Sequence, residues 1–282
     1  MVTLNYALTL YLYCVESLYL KYNIEMKILG LIPARYASTR FPGKPLAMIA
    51  GKPMIQWVYQ RASEVFENTY VATDDDRIAN AVRAFGGKVV LTSDKHQSGT
   101  DRCAEALSKV QELTAIKFDV VVNIQGDEPF IQAQQLQKVA SCFSDNAVQI
   151  ATLVKAFGAN EDIFNPNSPK VILNVKNDAI YFSRSVIPFV RGKEKDDWKY
   201  NRKFFKHIGL YAYRTEVLNE ITRLPQSPLE LSESLEQLRW IENGYKIRVV
   251  ETDLETLAVD TPEDLERVKE YAHSMLNDRE KD

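Results

Sequence analysis

Cysteine is scarce in this chain, and its three copies, Cys14, Cys103 and Cys142, are odd in number and far apart. That spacing excludes the paired ligands of a structural zinc site and the close dithiol of a redox motif, and it fits reduced thiols in a cytoplasmic protein. A surplus of positive charge is also missing, with 35 Lys and Arg against 38 Asp and Glu and a formal net charge of −3. No global basic field draws nucleic acid, so any cations that recognise an anion must act locally. The Gly-x-x-x-x-Gly-Lys-[Ser/Thr] phosphate loop is absent, as are internal repeats and low-complexity tracts. Residues 4–20 are rich in Leu, Tyr and Ala but are interrupted by Asn5, Glu16 and Ser17. No basic residue precedes them and no small-residue cleavage site follows, which fits neither a spanning helix nor a signal peptide, and no membrane partner is expected. Met26 stands directly before the first strand-like run, so residues 1–25 read as an extraneous leader, with a loosely docked amphipathic helix as the alternative.

The remainder, 45% hydrophobic and 26% charged over the whole chain, can bury a full core as one large domain or two lobes. Residues 28–32 are a short apolar run that breaks at Pro33, the pattern of a buried strand running out into a loop. The loop carries Arg35, Arg40 and Lys44 and no acid. Pro33, Pro42, Gly43 and Pro45 reduce the entropy lost on ordering it, so its cations and free N–H groups can converge on a polyanion such as a triphosphate. A solvated basic loop is the alternative reading of this stretch alone.

Downstream, Met54, Ile55, Val58, Ala62 and Val65 have the spacing of a one-sided helix over 52–66, and residues 69–73 form a second strand. Asp74, Asp75 and Asp76 then precede a helix over 77–85, where they suit the N-terminal dipole as caps or else hold a metal. Gly86-Gly87 closes that helix before a strand at 88–91. Strand and helix in this rhythm predict an α/β fold with a mostly parallel, doubly wound sheet whose ligands sit at the carboxyl ends of strands.

In residues 96–102, Ser98 and Thr100 can each cap a helix over 103–113, and Gly99 permits close backbone approach. Arg102 is oddly cationic for a helix start, which a nucleotide contact would explain. Residues 119–124 are the most strand-like in the chain and run into Gln125-Gly126-Asp127-Glu128-Pro129. Asp127, just past a central strand, is placed either to bind a hard cation such as Mg²⁺ or to serve as an ordinary turn acid.

From Val148 the pattern turns strand-rich: 151–156, a hairpin over 170–182 with Asn177-Asp178 at its turn, and 206–213 with His207. The charged stretch 192–203 reads as a mobile loop, and about 157–215 reads as a smaller, strand-rich lobe inserted into the sheet domain. Arg184 stands in apolar sequence and has either an anionic ligand or a structural ion pair to meet. A single helix is expected over 231–243, with Glu233 and Gln237 four apart on one face and Leu235, Leu238 and Ile241 on another. After a strand at 246–251, Asp260 precedes a helix start at Pro262, as part of its cap or as a second metal ligand.

Together these residues resemble the bacterial 3-deoxy-D-manno-octulosonate (Kdo) cytidylyltransferases, the CMP-Kdo synthetase family. The likeness rests on residues 32–45, 96–102, 123–129, 181–184, 207–213, 235–239 and 259–266, spread over nearly all of 26–282. The Gly-Gly-Ser-Lys version of the opening loop, usual in sialic-acid-activating relatives, is absent. The resemblance implies a nucleotide-diphospho-sugar transferase-like fold and a homodimer joined through the inserted lobe. It also implies Mg²⁺-dependent transfer of CMP from CTP to Kdo, for lipopolysaccharide biosynthesis. By motif, Arg35, Arg40 and Lys44 would hold the triphosphate, and Ala34, Ser98, Arg102 and Gln125 would surround cytidine. Asp127 and Asp260 would hold magnesium, making them and Lys44 the catalytic set. Arg184, His207, Tyr211, Glu233 and Gln237 would shape the sugar-acid pocket.

The chemistry suits these residues independently, because two anions brought together against their repulsion require fixed cations and a metal more than a covalent nucleophile. Two other readings are carried forward: CMP activation of an amino-Kdo or nonulosonic acid, and a nucleotide-sugar glycosyltransferase that binds its metal through Asp74-Asp75.

Overall fold

The computed structural model describes residues 26–37 and 41–279, so the expected leader and Arg40 lie outside the described residues. Its strands are β1 (Ile28–Ala34), β2 (Met48–Ile49), β3 (Lys52–Pro53), β4 (Asn68–Thr73), β5 (Val89–Leu91), β6 (Val120–Asn123), β7 (Ile150–Ala156), β8 (Lys170–Leu173), β9 (Ala179–Ser183), β10 (Phe205–Arg214) and β11 (Ile247–Glu251). The main sheet runs in the order β11-β7-β10-β6-β1-β4-β5, with β8 and β9 attached beside β10 and a separate β2-β3 pair. All neighbours from β6 to β5 are parallel, as are β11 and β7, whereas β10 runs antiparallel between β6 and β7.

β1 shows why the sheet is wound on both faces. Its side chains alternate, Leu29 and Leu31 joining one apolar cluster with Cys103, Leu107 and Val110 of the helix Gly99–Thr114. Ile32 and Ala34 join the opposite cluster with Ile55, Val58 and Ala62 of the helix Met54–Ser63. Each fully buried Leu, Ile or Val side chain among them stabilises the fold by about 1.5–3 kcal/mol.

Pro33 does not end β1 as the sequence pattern predicts; the strand continues to Ala34. Ile124 donates to the Leu31 carbonyl from the β6 side, so residue 33 also points its backbone toward β6. Pairing with β6 stops at Leu31 and Asn123. A missing N–H at Pro33 therefore interrupts no ladder bond.

The inserted segment is smaller than expected. Residues 206–213 belong to β10, a central strand of the main sheet, because their alternating buried positions fill the gap between β6 and β7. The hairpin β8-β9 forms as read, with Asn177 at φ +61° in its turn. The charged stretch 192–203 contains the short helix Trp198–Asn201, anchored by buried Trp198 against Ile163 and Phe204.

The single helix expected over 231–243 is two, Pro228–Glu233 and Gln237–Glu242, broken at Ser234 with φ +50°. Ser227 and Glu230 form a reciprocal cap that starts the first helix early. Arg239 then grips Glu230 with two bonds of 2.8 and 2.6 Å, folding the second helix back on the first. Glu233 and Gln237 are therefore not neighbours on one helical face.

Candidate active site

Three motif loops meet at the carboxyl end of β1. Gly126, in the loop after β6, lies so close to β1 that a Cβ there would stand 2.9 Å from the Pro33 carbonyl oxygen. Arg35 Nη2 donates to the His96 carbonyl, tying the loop after β1 to the loop before the helix Gly99–Thr114. The cationic loop closes on itself where Gly43, at φ +72°, donates from its N–H to the Tyr36 carbonyl at 2.9 Å. The Arg77 guanidinium covers the Tyr36 ring at 3.2 Å from its centre.

Lys44 is where the distant parts of the chain converge. Its Nζ lies 2.7 Å from Asp127 Oδ2 and 3.4 Å from Asp260 Oδ1. Val259 N–H donates to the Asp127 carbonyl at 2.9 Å, so backbone as well as side chains join the two acidic loops. The carboxylates thus surround one point and can be no farther apart than those two contacts laid end to end. Hard oxygen donors so arranged fit a magnesium ion, which commonly takes one or two carboxylates and completes its shell with phosphate and water. Glu128, beside Asp127, is buried and its pKa is pushed up to about 7 by desolvation. Thr256 Oγ1 donates to it at 2.5 Å.

Among the residues expected to surround cytidine, Ala34 is buried at the end of β1, and Ser98 caps the helix Gly99–Thr114 in a reciprocal box with Asp101. Gln125 donates to the Gly209 carbonyl at 3.0 Å. Arg102 is fully buried, bonded to Thr92 Oγ1 at 2.7 Å and 3.0 Å from Asp74 Oδ1, while its Nε and Nη2 have no hydrogen-bond partner among the described residues. Burial pulls its pKa down, partly offset by Asp74. Asp75 caps the helix Asp76–Ala84 and pairs with Arg77. The Asp74-Asp75 pair is thus spent on a cap and a buried arginine, against the glycosyltransferase reading. Glu105, absent from the sequence reading, takes the Ser93 N–H, His96 and Lys109. Burial opposes its ionisation, but those contacts prevail and hold it at about 2.

The sugar-acid candidates gather across β10. Glu233 accepts from Ser183 Oγ and from the Arg184 N–H at 2.7 and 2.9 Å. The Arg184 side chain donates only to carbonyls, of Glu233, Pro166 and Ser234. Among the described residues no carboxylate forms an ion pair with its guanidinium, so its charge remains available to an anion. His207 stacks edge-on against Phe182 and beside Tyr211, and its Nε2 meets Thr152 Oγ1 at 3.0 Å. Thr152 spends its one proton on the Leu210 carbonyl at 2.8 Å, so His207 donates from Nε2 and keeps a lone pair on Nδ1. Burial pushes its pKa down to about 3, which makes it a neutral hydrogen-bonding group and a feeble base.

Tyr211 and Tyr213 stack at 6.0 Å against Trp240. Both hydroxyls, Asn123 Oδ1, Gln237 Nε2 and Trp240 Nε1 are buried and meet no partner of hydrogen-bond geometry among the described residues. So many orphaned polar atoms in one neighbourhood are the mark of a site that takes a polyhydroxylated ligand or water. Glu236, which the sequence reading passed over inside its expected helix, accepts from Thr100 Oγ1 at 2.8 Å and joins this cluster to the start of the helix Gly99–Thr114. Burial raises its pKa.

A doubly wound sheet whose strand ends carry a basic loop beside a cluster of buried polar groups is the construction of a nucleotidyltransferase. The structure superposes on that of a CMP:2-keto-3-deoxy-manno-octonic acid synthetase complexed with CTP, with a TM-score of 0.80 and 43% identity over 88% of this chain and 99% of the other. The cytidylyltransferase family model matches residues 29–247. The 3-deoxy-manno-octulosonate cytidylyltransferase of Parabacteroides distasonis is 62% identical over 246 residues, covering 86% of this chain and 96% of its own. That of Bacteroides thetaiotaomicron is 62% identical over 249 residues, covering 87% and 98%. The chain belongs to the 3-deoxy-manno-octulosonate cytidylyltransferase family, as its motifs led one to expect.

Proposed function

We propose that this protein activates Kdo with CTP, giving CMP-Kdo and pyrophosphate for lipopolysaccharide synthesis, in the cytoplasm and as a homodimer. The observation that carries the reading is the meeting of Asp127 and Asp260 at Lys44, beside the loop of Arg35. High identity to curated Kdo cytidylyltransferases supports the choice of sugar acid. No helix among the described residues is long and apolar enough to cross a membrane. The inserted segment exposes the large apolar side chains Val175, Ile180, Phe189 and Tyr200, which pairing with a second copy could cover.

In the reaction the anomeric oxygen of Kdo forms a bond to the α-phosphorus of CTP, the bond from that phosphorus to the bridging oxygen breaks, and pyrophosphate leaves. The hydroxyl proton passes to solvent. Asp127 and Asp260 would hold magnesium, which would supply positive charge beside the phosphoryl oxygens and acidity to the attacking hydroxyl. Lys44, drawn to those carboxylates here, faces the triphosphate and offsets charge that grows on the leaving group. Arg35 and Arg40 hold the outer phosphates, while Ala34, Ser98, Arg102 and Gln125 enclose cytidine. Arg184 meets the Kdo carboxylate, whose charge its carbonyl partners do not satisfy. His207, Tyr211, Glu233 and Gln237 orient the sugar hydroxyls, which fixes the nucleophile in line.

The test is pyrophosphate release from CTP with Mg²⁺ and Kdo, an amino-Kdo or a nine-carbon nonulosonic acid, repeated on Asp127→Asn. Kdo should turn over fastest, and Asp127→Asn should lose at least about a hundredfold in rate. Faster turnover of a nonulosonic acid would replace Kdo as the substrate, and undiminished rates in Asp127→Asn would remove the metal site.

A further inference from the structure

Residues 252–260, between β11 and the helix Pro262–Arg279, have no regular structure, yet they bring Asp260 to Lys44. Several bonds on the way decide where that carboxylate stands. Lys155 and Lys206 are direct cross-strand partners on β7 and β10, an arrangement in which like charges repel. Glu255 resolves the conflict, with Oε1 2.5 Å from Lys206 Nζ and Oε2 3.0 Å from Lys155 Nζ. Lys206 is only 5% exposed and also meets Glu161 of the inserted segment. Burial would lower the Lys206 pKa, but its two carboxylate partners raise it instead. Burial likewise opposes ionisation of Glu255, and the two lysines reverse that. The next residue, Thr256, bonds Glu128 beside Asp127, and three residues further Val259 bonds the Asp127 carbonyl.

We propose that Glu255, clamped between Lys155 and Lys206, is a positioning residue that sets Asp260 opposite Asp127, and that Lys206 and Glu161 tie this setting to the inserted segment. The inference rests on the reading that Asp127 and Asp260 hold magnesium. The Glu255 side chain is 40% exposed and Lys206 keeps Glu161, so loss of the Glu255 charge should loosen the strap without unfolding the protein. Thr256 passes the constraint on, since its hydroxyl is fixed one residue past the clamp. His207, directly after Lys206, places the sugar pocket on the same strand as the clamp.

The experiment uses the full chain and Mn²⁺ as the probe, its binding in the presence of CTP followed by electron paramagnetic resonance, alongside the Mg²⁺ dependence of turnover. Glu255→Gln and Lys206→Met should each weaken Mn²⁺ binding and raise half-saturating Mg²⁺ on the order of tenfold, with the KM for CTP at saturating Mg²⁺ nearly unchanged. The double variant should be no worse than either single one. Thr256→Val, which leaves the charges paired, should reproduce the effect and guards against a folding defect in the lysine variant. Lys203→Gln, which removes the exposed Lys203–Glu251 pair outside the strap, should leave both measurements unchanged. Normal Mn²⁺ binding in Glu255→Gln and Thr256→Val, with Asp127→Asn defective, overturns the positioning role alone. Normal Mn²⁺ binding in Asp127→Asn overturns the magnesium reading beneath it.

Discussion

Replacing Gly126 by alanine tests whether the site depends on close contact between the loops after β1 and β6. The new Cβ would stand 2.9 Å from the Pro33 oxygen, with Ile32 Cγ2 at 3.6 Å and Ile55 Cδ1 at 3.9 Å closing the other sides. The first contact is to backbone, which cannot rotate away, so the loops must part by roughly half an ångström to restore ordinary contact. Overpacking of this kind costs about 1–3 kcal/mol, visible as a lower urea midpoint with an unchanged slope. Because Asp127 follows directly, its carboxylate moves relative to Lys44, and a displacement of that size should lower kcat on the order of tenfold. Urea unfolding by circular dichroism and pyrophosphate release measure the two effects on one sample. If Gly126→Ala kept both the wild-type midpoint and the wild-type kcat, the loops would not be held as close as described.

Two further perturbations address the buried polar groups Arg239 and His207. Glu230→Gln should destabilise the protein by about 3–5 kcal/mol, because it leaves the Arg239 guanidinium buried without its bidentate partner, whereas Glu230→Leu with Arg239→Met should recover most of that loss. A double variant as unstable as the single one in urea would contradict this account. His207 makes stability pH-dependent: from its ordinary 6.5 down to about 3, the unfolded chain binds a proton that the folded one refuses. Its contribution is intact above pH 6.5 and is lost as pH falls toward 3, so His207→Gln should flatten the stability profile across that window and leave it unaltered above. An equally steep decline in the variant would show that the imidazole is not held neutral.

Much of the architecture was legible because it rests on local signals. The apolar run before Pro33, the capping acids after β4, the Asn177-Asp178 turn and Pro262 at a helix start each carry their own physical cause. The family was legible for the same reason, since its motifs are contiguous. What escaped the sequence reading depends on partners far away in the chain. Nothing near residues 206–213 announces that they run antiparallel between β6 and β7 rather than within an insert. Ser234 carries no glycine or asparagine signal for its left-handed backbone, so the helix break there was invisible, and with it the setting of Glu236. The reciprocal Ser227 and Glu230 cap was a readable hint that a helix began earlier. Lys44 was read as a phosphate ligand, but its service as the meeting point for two carboxylates depends on contacts spanning 83 and 216 positions.

That last span has a consequence for synthesis. A ribosome making this protein releases Lys44 and the first sheet strands long before Asp260 emerges, so the central strands can collapse while the acid pair is still half made. Chains abandoned before Asp260 would carry Lys44 and Asp127 without the second carboxylate of that meeting point. On the proposed reading, in which both carboxylates serve transfer, turnover waits for a residue made 216 positions after Lys44.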